Sequence, residues 1–283
     1  MVKRSLSGLV GIPLLVAVVF LPRYPMMPRG LPFAIAVSIL AVIGMHEYCR
    51  GVRRMGARPM EWLAQAATVL FIITAFQNGP SGESRQIQPA LTLLIILGLV
   101  AELPRKDRAP VRNLGATALG VVYIGWLFSF LVLLRLVEGR VYVSGRVLDL
   151  GSCLAIYAIM VGWACDTGGY FVGTAMGKRK LAPVLSPGKT IEGSIGGVLS
   201  AIVLAIGLGF VFGFGLVHSL ILGVVISAVS QIGDLCKSSI KREIGIKDFG
   251  ALLPGHGGIL DRFDSLLFAS PALFYYYMWF MAH

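Results

Sequence analysis

Nine apolar runs, separated by short polar or basic stretches, fill most of this 283-residue chain. They lie near Leu6 to Leu21, Leu31 to Met45, Trp62 to Phe76, Pro89 to Ala101 and Leu114 to Val137. Four more follow near Leu154 to Ala164, Ile195 to Val217, Leu220 to Ile232 and Ser265 to Met281. A helix needs about 20 apolar residues to cross about 30 Å of hydrocarbon, and several runs are shorter, so eight or ten spans also fit the pattern. Lipid offers no hydrogen-bond partners to a free backbone, and the runs lack the alternation of barrel strands, which leaves helices. Only 14% of the residues are charged, and the mean hydropathy is +0.80. A soluble domain carries about 25% charged residues, so a water-soluble fold of this size is disfavoured. The expectation is an all-α, polytopic integral membrane protein with about nine transmembrane helices.

A net charge of +11 invites a nucleic-acid reading, but the distribution of charge points to a bilayer instead. With nine spans numbered from an inside N-terminus, the inner segments hold 19 of the 25 Lys and Arg residues. These are Lys3 and Arg4, the group from Arg50 to Arg58, the group from Arg105 to Arg112, Lys178 to Lys180 with Lys189, and the basic residues from Lys237 to Arg262. The outer segments keep Arg23, Arg29, Arg85, Arg135, Arg140 and Arg146. By the positive-inside rule the N-terminus is cytoplasmic. The protein is expected in the cell membrane as a multi-pass chain, its polar site facing the cytoplasm, with no nucleic-acid partner. The first run is read as a retained span, because Pro22-Arg-Tyr-Pro25 stands where a small-residue cleavage site would lie. Cys49, Cys153, Cys165 and Cys236 have no CxxC spacing and read as small packing residues.

There is no internal repeat, and the 35 glycines suit close helix packing in lipid. The first four spans carry almost no charge and read as scaffold. Residues 1–150 are therefore assigned to an N-terminal transmembrane scaffold, and residues 151–283 to a catalytic transmembrane region with a cytoplasm-facing polar site.

Two constellations occupy that second region. The first is Asp166-Thr-Gly-Gly-Tyr170, Gly177-Lys-Arg-Lys180 and Ser186-Pro-Gly-Lys-Thr-Ile-Glu-Gly193. Asp166 directly follows an apolar run, where a carboxylate needs a partner, a cation or water. Gly188-Lys-Thr190 is not a P-loop, since that motif requires Gly where Pro183 stands. What remains is a turn presenting Lys189, Thr190 and Glu192, a cationic loop suited to polyphosphate or to anionic headgroups.

The second runs from Gly233 to Asp264 and gathers five acids, five Lys or Arg, one His and six Gly. If the preceding helix continues inward, Asp234, Ser238, Lys241 and Arg242 share one face at i, i+4, i+7 and i+8. Gly255 and Gly257-Gly258 bracket His256, and glycines there permit close backbone approach and amide nests for anions. Asp261 and Asp264 stand at i, i+3 and point the same way if the last helix begins there. Mg²⁺, which takes one or two carboxylates with phosphate oxygens and water, would relieve their repulsion. The plainer alternative is that either aspartate caps the helix and Arg262 anchors it at the interface. His256 could act as a general base, but a hydrogen-bonded turn residue is the favoured reading, because phosphoryl transfer depends more on positioning and charge neutralisation than on proton transfer.

The run Ser238-Ser-Ile-Lys-Arg242, Lys247-Asp248, Gly250, Leu253-Pro254, His256-Gly-Gly258, Asp261-Arg262 and Asp264 resembles the signature of the phosphatidate cytidylyltransferases, or CDP-diacylglycerol synthases. Asp166-Thr-Gly, Ser186-Pro-x-Lys-Thr and Glu192-Gly are similar to that family's upstream motif. The resemblance implies Mg²⁺-dependent attack by the phosphate of phosphatidic acid on the α-phosphorus of CTP, giving CDP-diacylglycerol and pyrophosphate for phospholipid synthesis. On this reading Asp234 and Asp261 hold the metal, with Asp264 and Asp166 as further candidates, and one or two cations are allowed. Lys241, Arg242, Asp261 and His256 form the catalytic set. Lys189, Thr190, Ser238, Arg262, Gly257 and Gly258 bind substrate. The attacking oxygen is already anionic near neutral pH, so neutralising phosphate charge matters more than a strong base. A homodimer is compatible with the sequence but not dictated by it. The rival classes are a secondary transporter, disfavoured by the lack of a duplicated half, and a CTP-using lipid kinase, distinguished by its products.

Overall fold

A computed structural model describes residues 19, 27–80, 87–105, 109–250 and 257–282 of the chain. The chain divides into two compact units: Met1–Leu136 with Glu243–Arg262, and Val137–Arg242 with Phe263–His283. The boundary thus falls near position 136, and a C-terminal segment folds with the N-terminal unit.

In the first unit, α1 (Leu31–Val52) is followed by a single 3₁₀ turn, Arg53–Met55, and by α2 (Glu61–Asn78) and α3 (Ile87–Glu102). Next come α4 (Pro110–Gly120), a π-helical segment (Val121–Trp126) and α5 (Leu127–Leu136), which run on as one apolar helix. The π segment falls where Gly125 meets α2. A Cβ on Gly125 would stand 2.9 Å from the Cα of Thr68, so the two backbones touch. Phe71 of α2 packs edge-on against Trp126, their centroids 5.4 Å apart.

Just outside the apolar runs, this unit buries Glu47, Glu102 and Asn113. Each has partners, as buried polar groups must. Glu102 Oε1 lies 2.8 Å from Arg105 Nη1, and its Oε2 accepts from Asn113 Nδ2 at 3.2 Å. Asn113 Oδ1 in turn accepts from the Arg58 amide at 2.8 Å.

The second unit opens with an antiparallel hairpin, β1 (Arg140–Val143) and β2 (Arg146–Asp149). Its two-residue turn is Ser144-Gly145, both at positive φ (48° and 78°), the conformation that matches strand twist in a tight hairpin. Asp149 then caps α6 (Leu150–Met176), accepting from the Ser152 amide at 3.3 Å. A second hairpin, β3 (Lys180–Ala182) and β4 (Ser186–Thr190), leads into α7 (Ile191–Phe212). The long α8 (Leu216–Ile244) and α9 (Leu260–Phe280) complete the chain.

Helices α6 and α7 meet backbone to backbone. A Cβ on Gly193 would lie 2.8 Å from the Gly169 carbonyl oxygen and 3.0 Å from the Gly173 Cα, and one on Gly197 would lie 2.7 Å from the Cys165 carbonyl oxygen. Small residues allow this approach, and dispersion between the touching backbones holds the pair in lipid, where no hydrophobic force does so.

Among the described residues, five helices are long and apolar enough to cross a membrane: Leu31–Met55, Pro110–Leu136, Leu150–Met176, Ile191–Phe212 and Leu216–Ile244. The expected span near Leu6 to Leu21 lies almost wholly outside the described residues. Helix α3 is shorter than a typical span, at 16 residues. Helix α9 has 21 residues, about 31 Å at 1.5 Å per residue, but opens with Asp261, Arg262 and Asp264. The chain is a largely helical protein with several membrane-spanning segments.

Candidate active site

Helix α8 begins apolar and ends polar without interruption, so Asp234, Ser238, Lys241 and Arg242 share one helix as their spacing implies. At its polar end the second unit builds an ionic chain from three elements. Lys189 of β4 places Nζ 2.5 Å from Asp234 Oδ2. Asp234 Oδ1 is 3.0 Å from Lys237 Nζ, one turn along the same helix. Lys237 also pairs with Asp264 of α9. Positive and negative groups therefore alternate along the chain Lys189, Asp234, Lys237 and Asp264. Lys237 and Asp264 are each 7% exposed, against 26% and 25% for Lys189 and Asp234. The chain therefore has a buried inner end and an outer end open to solvent.

Beside it, Asp166 of α6 accepts from Ser265 Oγ at 3.0 Å and remains open to solvent. Three carboxylates from α6, α8 and α9 thus lie within one unit, interleaved with ammonium groups. Hard carboxylate oxygens are the donors that Mg²⁺ prefers. Among the described residues, however, no group of three or more His, Cys, Asp and Glu side chains is arranged to enclose an ion. Asp234 and Asp264 instead face one shared cation, the Lys237 ammonium. The donor set fits a cation carried partly by substrate oxygens and water, not a cage made of protein alone.

The loop that resembled a P-loop is a strand and a helix cap. Thr190, nearly buried, accepts from the Gly193 amide at 3.1 Å, and Glu192 accepts from the amides of Lys178 and Arg179 at 3.0 and 3.1 Å. These bonds fix the hairpin to the start of α7 and thereby aim Lys189 at Asp234. Arg242 Nε donates to the Leu185 carbonyl at 3.1 Å, tying α8 to the same hairpin. Ser238 is nearly buried one turn beyond Asp234, and Lys241 is half-buried.

Asp261, Arg262, Gly257 and Gly258 belong to the first unit. Asp261 Oδ2 accepts from the amides of Phe249 at 2.8 Å and Gly258 at 3.2 Å, tying Phe249 to the start of α9. Gly257 has φ +81°, which a side chain would strain. The Gly258 amide is thus already bonded to Asp261. Arg262 is exposed. His256 lies outside the described residues.

Three participants escaped the sequence reading. Lys237 sits at i+3 from Asp234, a visible spacing, but nothing in the sequence separates it from the neighbouring lysines. Ser265 reads as the first residue of an apolar run. Glu47 lies outside every run and motif singled out above; its carboxylate accepts from the amides of Ile259 and Leu260, both at 3.1 Å.

The model of the cytidylyltransferase family matches residues 2–280. A phosphatidate cytidylyltransferase of Staphylococcus aureus (strain COL) is 33% identical over 272 residues, covering 95% of this chain and 96% of its own. The enzyme of that name from Bacillus subtilis is 31% identical, covering 97% of each chain. That of Haemophilus influenzae is 33% identical, covering 97% of this chain and 98% of its own. By the extent of these matches and the helical, glycine-packed framework that carries the acidic and basic residues, the chain belongs to the cytidylyltransferase family.

Proposed function

We infer that the protein transfers the cytidylyl group of CTP to phosphatidic acid, forming CDP-diacylglycerol and releasing pyrophosphate at the cytoplasmic face of the cell membrane. The observation that carries this reading is the alternating chain Lys189, Asp234, Lys237 and Asp264 at the polar end of a membrane-length helix. A water-soluble triphosphate and a lipid phosphate repel each other, and a site that joins them must supply mobile positive charge at the bilayer surface. Lys189, part-exposed on a hairpin strand, would exchange Asp234 for a phosphate oxygen, while Lys237, buried between two carboxylates, would hold them in position.

In this reading Mg²⁺ supplies charge neutralisation and polarisation of the phosphate oxygens. Asp234, with Asp264 and Asp166, would hold it. Asp261 is proposed as a further essential acid on the strength of its place in the signature run. Ser238, Lys241 and Arg242 would grip phosphates, Arg262 is proposed for the same role on its place in the signature run alone, and the already anionic lipid phosphate needs no strong base.

The test is incubation of purified protein with labelled CTP, phosphatidic acid and Mg²⁺, followed by extraction. Label in the organic phase together with released pyrophosphate is expected, and neither should appear without the divalent ion. Release of CDP with a phosphorylated lipid alcohol would instead mark a kinase, and an unlabelled organic phase would end the proposal.

A further inference from the structure

Glu47 lies in α1, in the half of the chain that carries none of the signature residues, yet its carboxylate is enclosed by the segment that leads into α9. Oε1 accepts from the Ile259 amide and Oε2 from the Leu260 amide, each at 3.1 Å, across more than two hundred residues of sequence. The residue is only 6% exposed. A Cβ added to Gly258 would stand 2.6 Å from Glu47 Cδ, and one added to Gly250 would meet the same carboxylate at the same distance. Both glycines therefore serve as walls that only a bare backbone can form.

Two carboxylates divide four backbone amides beside the start of α9 between them. Asp261 takes those of Phe249 and Gly258, and Glu47 takes those of Ile259 and Leu260. The amides at a helix N-terminus carry partial positive charge and attract anions. Here the anion is built in. A carboxylate in a membrane helix is costly to bury unless it is bonded, and this one satisfies itself by fixing the backbone on which Asp261 stands.

We propose that Glu47 is a positioning residue for the transfer reaction, holding the Gly257–Asp261 turn in its working geometry through the Ile259 and Leu260 amides. The proposal rests on the cytidylyl-transfer reading given above. Glu47 itself touches no substrate; it acts through the turn. Gln at this position keeps the volume and one acceptor but turns an NH₂ group toward an amide, so one of the two bonds becomes a repulsion. Misplacement of a reacting group by about 1 Å costs roughly 100-fold in rate. Because the bonds set geometry and not nucleotide contacts, the loss belongs in kcat, with KM for CTP nearly unchanged.

The experiment compares full-length wild type, Glu47→Gln and Asn113→Ala in detergent with CTP, phosphatidic acid and Mg²⁺. Asn113 is as deeply buried in the same unit but bonds Arg58 and Glu102, so its removal reports general destabilisation. Expected are a fall of roughly 10- to 100-fold in kcat per folded molecule for Glu47→Gln and wild-type kcat for Asn113→Ala. Hydrogen exchange supplies a readout independent of turnover. In the wild type, the Ile259 and Leu260 amides should exchange far more slowly than those of Lys247 and Asp248, and in Glu47→Gln that protection should drop. A folded Glu47→Gln with wild-type kcat overturns the proposal, as does an equal loss of kcat in Asn113→Ala. Should Glu47→Gln fail to fold, unprotected Ile259 and Leu260 amides in the wild type overturn it by themselves. A wild type that makes no CDP-lipid sinks the functional reading instead, a result distinct from all of these.

Discussion

Replacing Lys237 by Met tests whether the ionic chain is the structural centre of the second unit. Lys237 is 7% exposed and lies between Asp234 and Asp264, the latter also 7% exposed. Methionine fills nearly the same volume, so little is lost in packing; what is lost is the charge that two carboxylates share. Removing one partner from a buried ion pair costs about 3–5 kcal/mol, because the other charge is left uncompensated. For a chain of this size each kcal/mol is worth about 2–4 °C, so the melting temperature should fall by roughly 10 °C. Thermal unfolding in detergent, followed through tryptophan fluorescence, measures this directly. Adding Asp264→Asn to Lys237→Met removes the stranded charge and should recover at least half of the loss, the non-additivity expected of direct partners. A Lys237→Met protein that melts within about 2 °C of wild type, or a double variant whose losses simply add, would refute the shared-cation arrangement.

Other predictions address the chemistry and the packing. Asp261→Asn keeps an oxygen for the Phe249 and Gly258 amides and should remain folded, but Mg²⁺-dependent transfer should fall by about 100-fold or more; wild-type turnover would remove Asp261 from the essential set. Lys189→Ala breaks a part-exposed pair and should cost only about 1 kcal/mol of stability. Its kcat/KM for CTP should nevertheless drop by about tenfold or more, as expected if Lys189 contacts a phosphate. Gly193→Ala forces α6 and α7 apart and should destabilise by about 1–3 kcal/mol, read as a lower melting temperature. Chelation of divalent ions should abolish transfer, and added Mg²⁺ should restore it.

Much of the second unit was legible because its residues are close in sequence on regular helices. The spacing of Asp234, Ser238, Lys241 and Arg242 required only that α8 run on past its apolar part, and it does so to Ile244. Asp261 and Asp264 do stand at the start of α9, which begins at Leu260, but they do not act as a pair: Asp261 accepts from the Phe249 and Gly258 amides of the first unit, and Asp264 pairs with Lys237 in the second. The illegible parts depend on contacts between distant segments. Backbone amides bind Glu47, and amides have no residue signature, so nothing at positions 259 and 260 announces a partner for an acid in α1. The pairing of Lys237 with Asp264 spans 27 residues and arises from where α8 and α9 come together, not from any motif. Thr190 shows the converse: a residue type suited to phosphate, adjacent to a lysine, that the fold uses to cap α7. In the first unit, Glu102 and Asn113 flank a short loop and look solvated in the sequence, yet both are buried.

The glycine contact between α6 and α7 also limits how a fatty acid tail can travel. Where one main chain rests on another, as at Gly169 and Gly193, no gap is left for a hydrocarbon chain. If Asp166 and Asp234 hold the reacting phosphates, as proposed, the lipid reaches them by some path other than between those two helices.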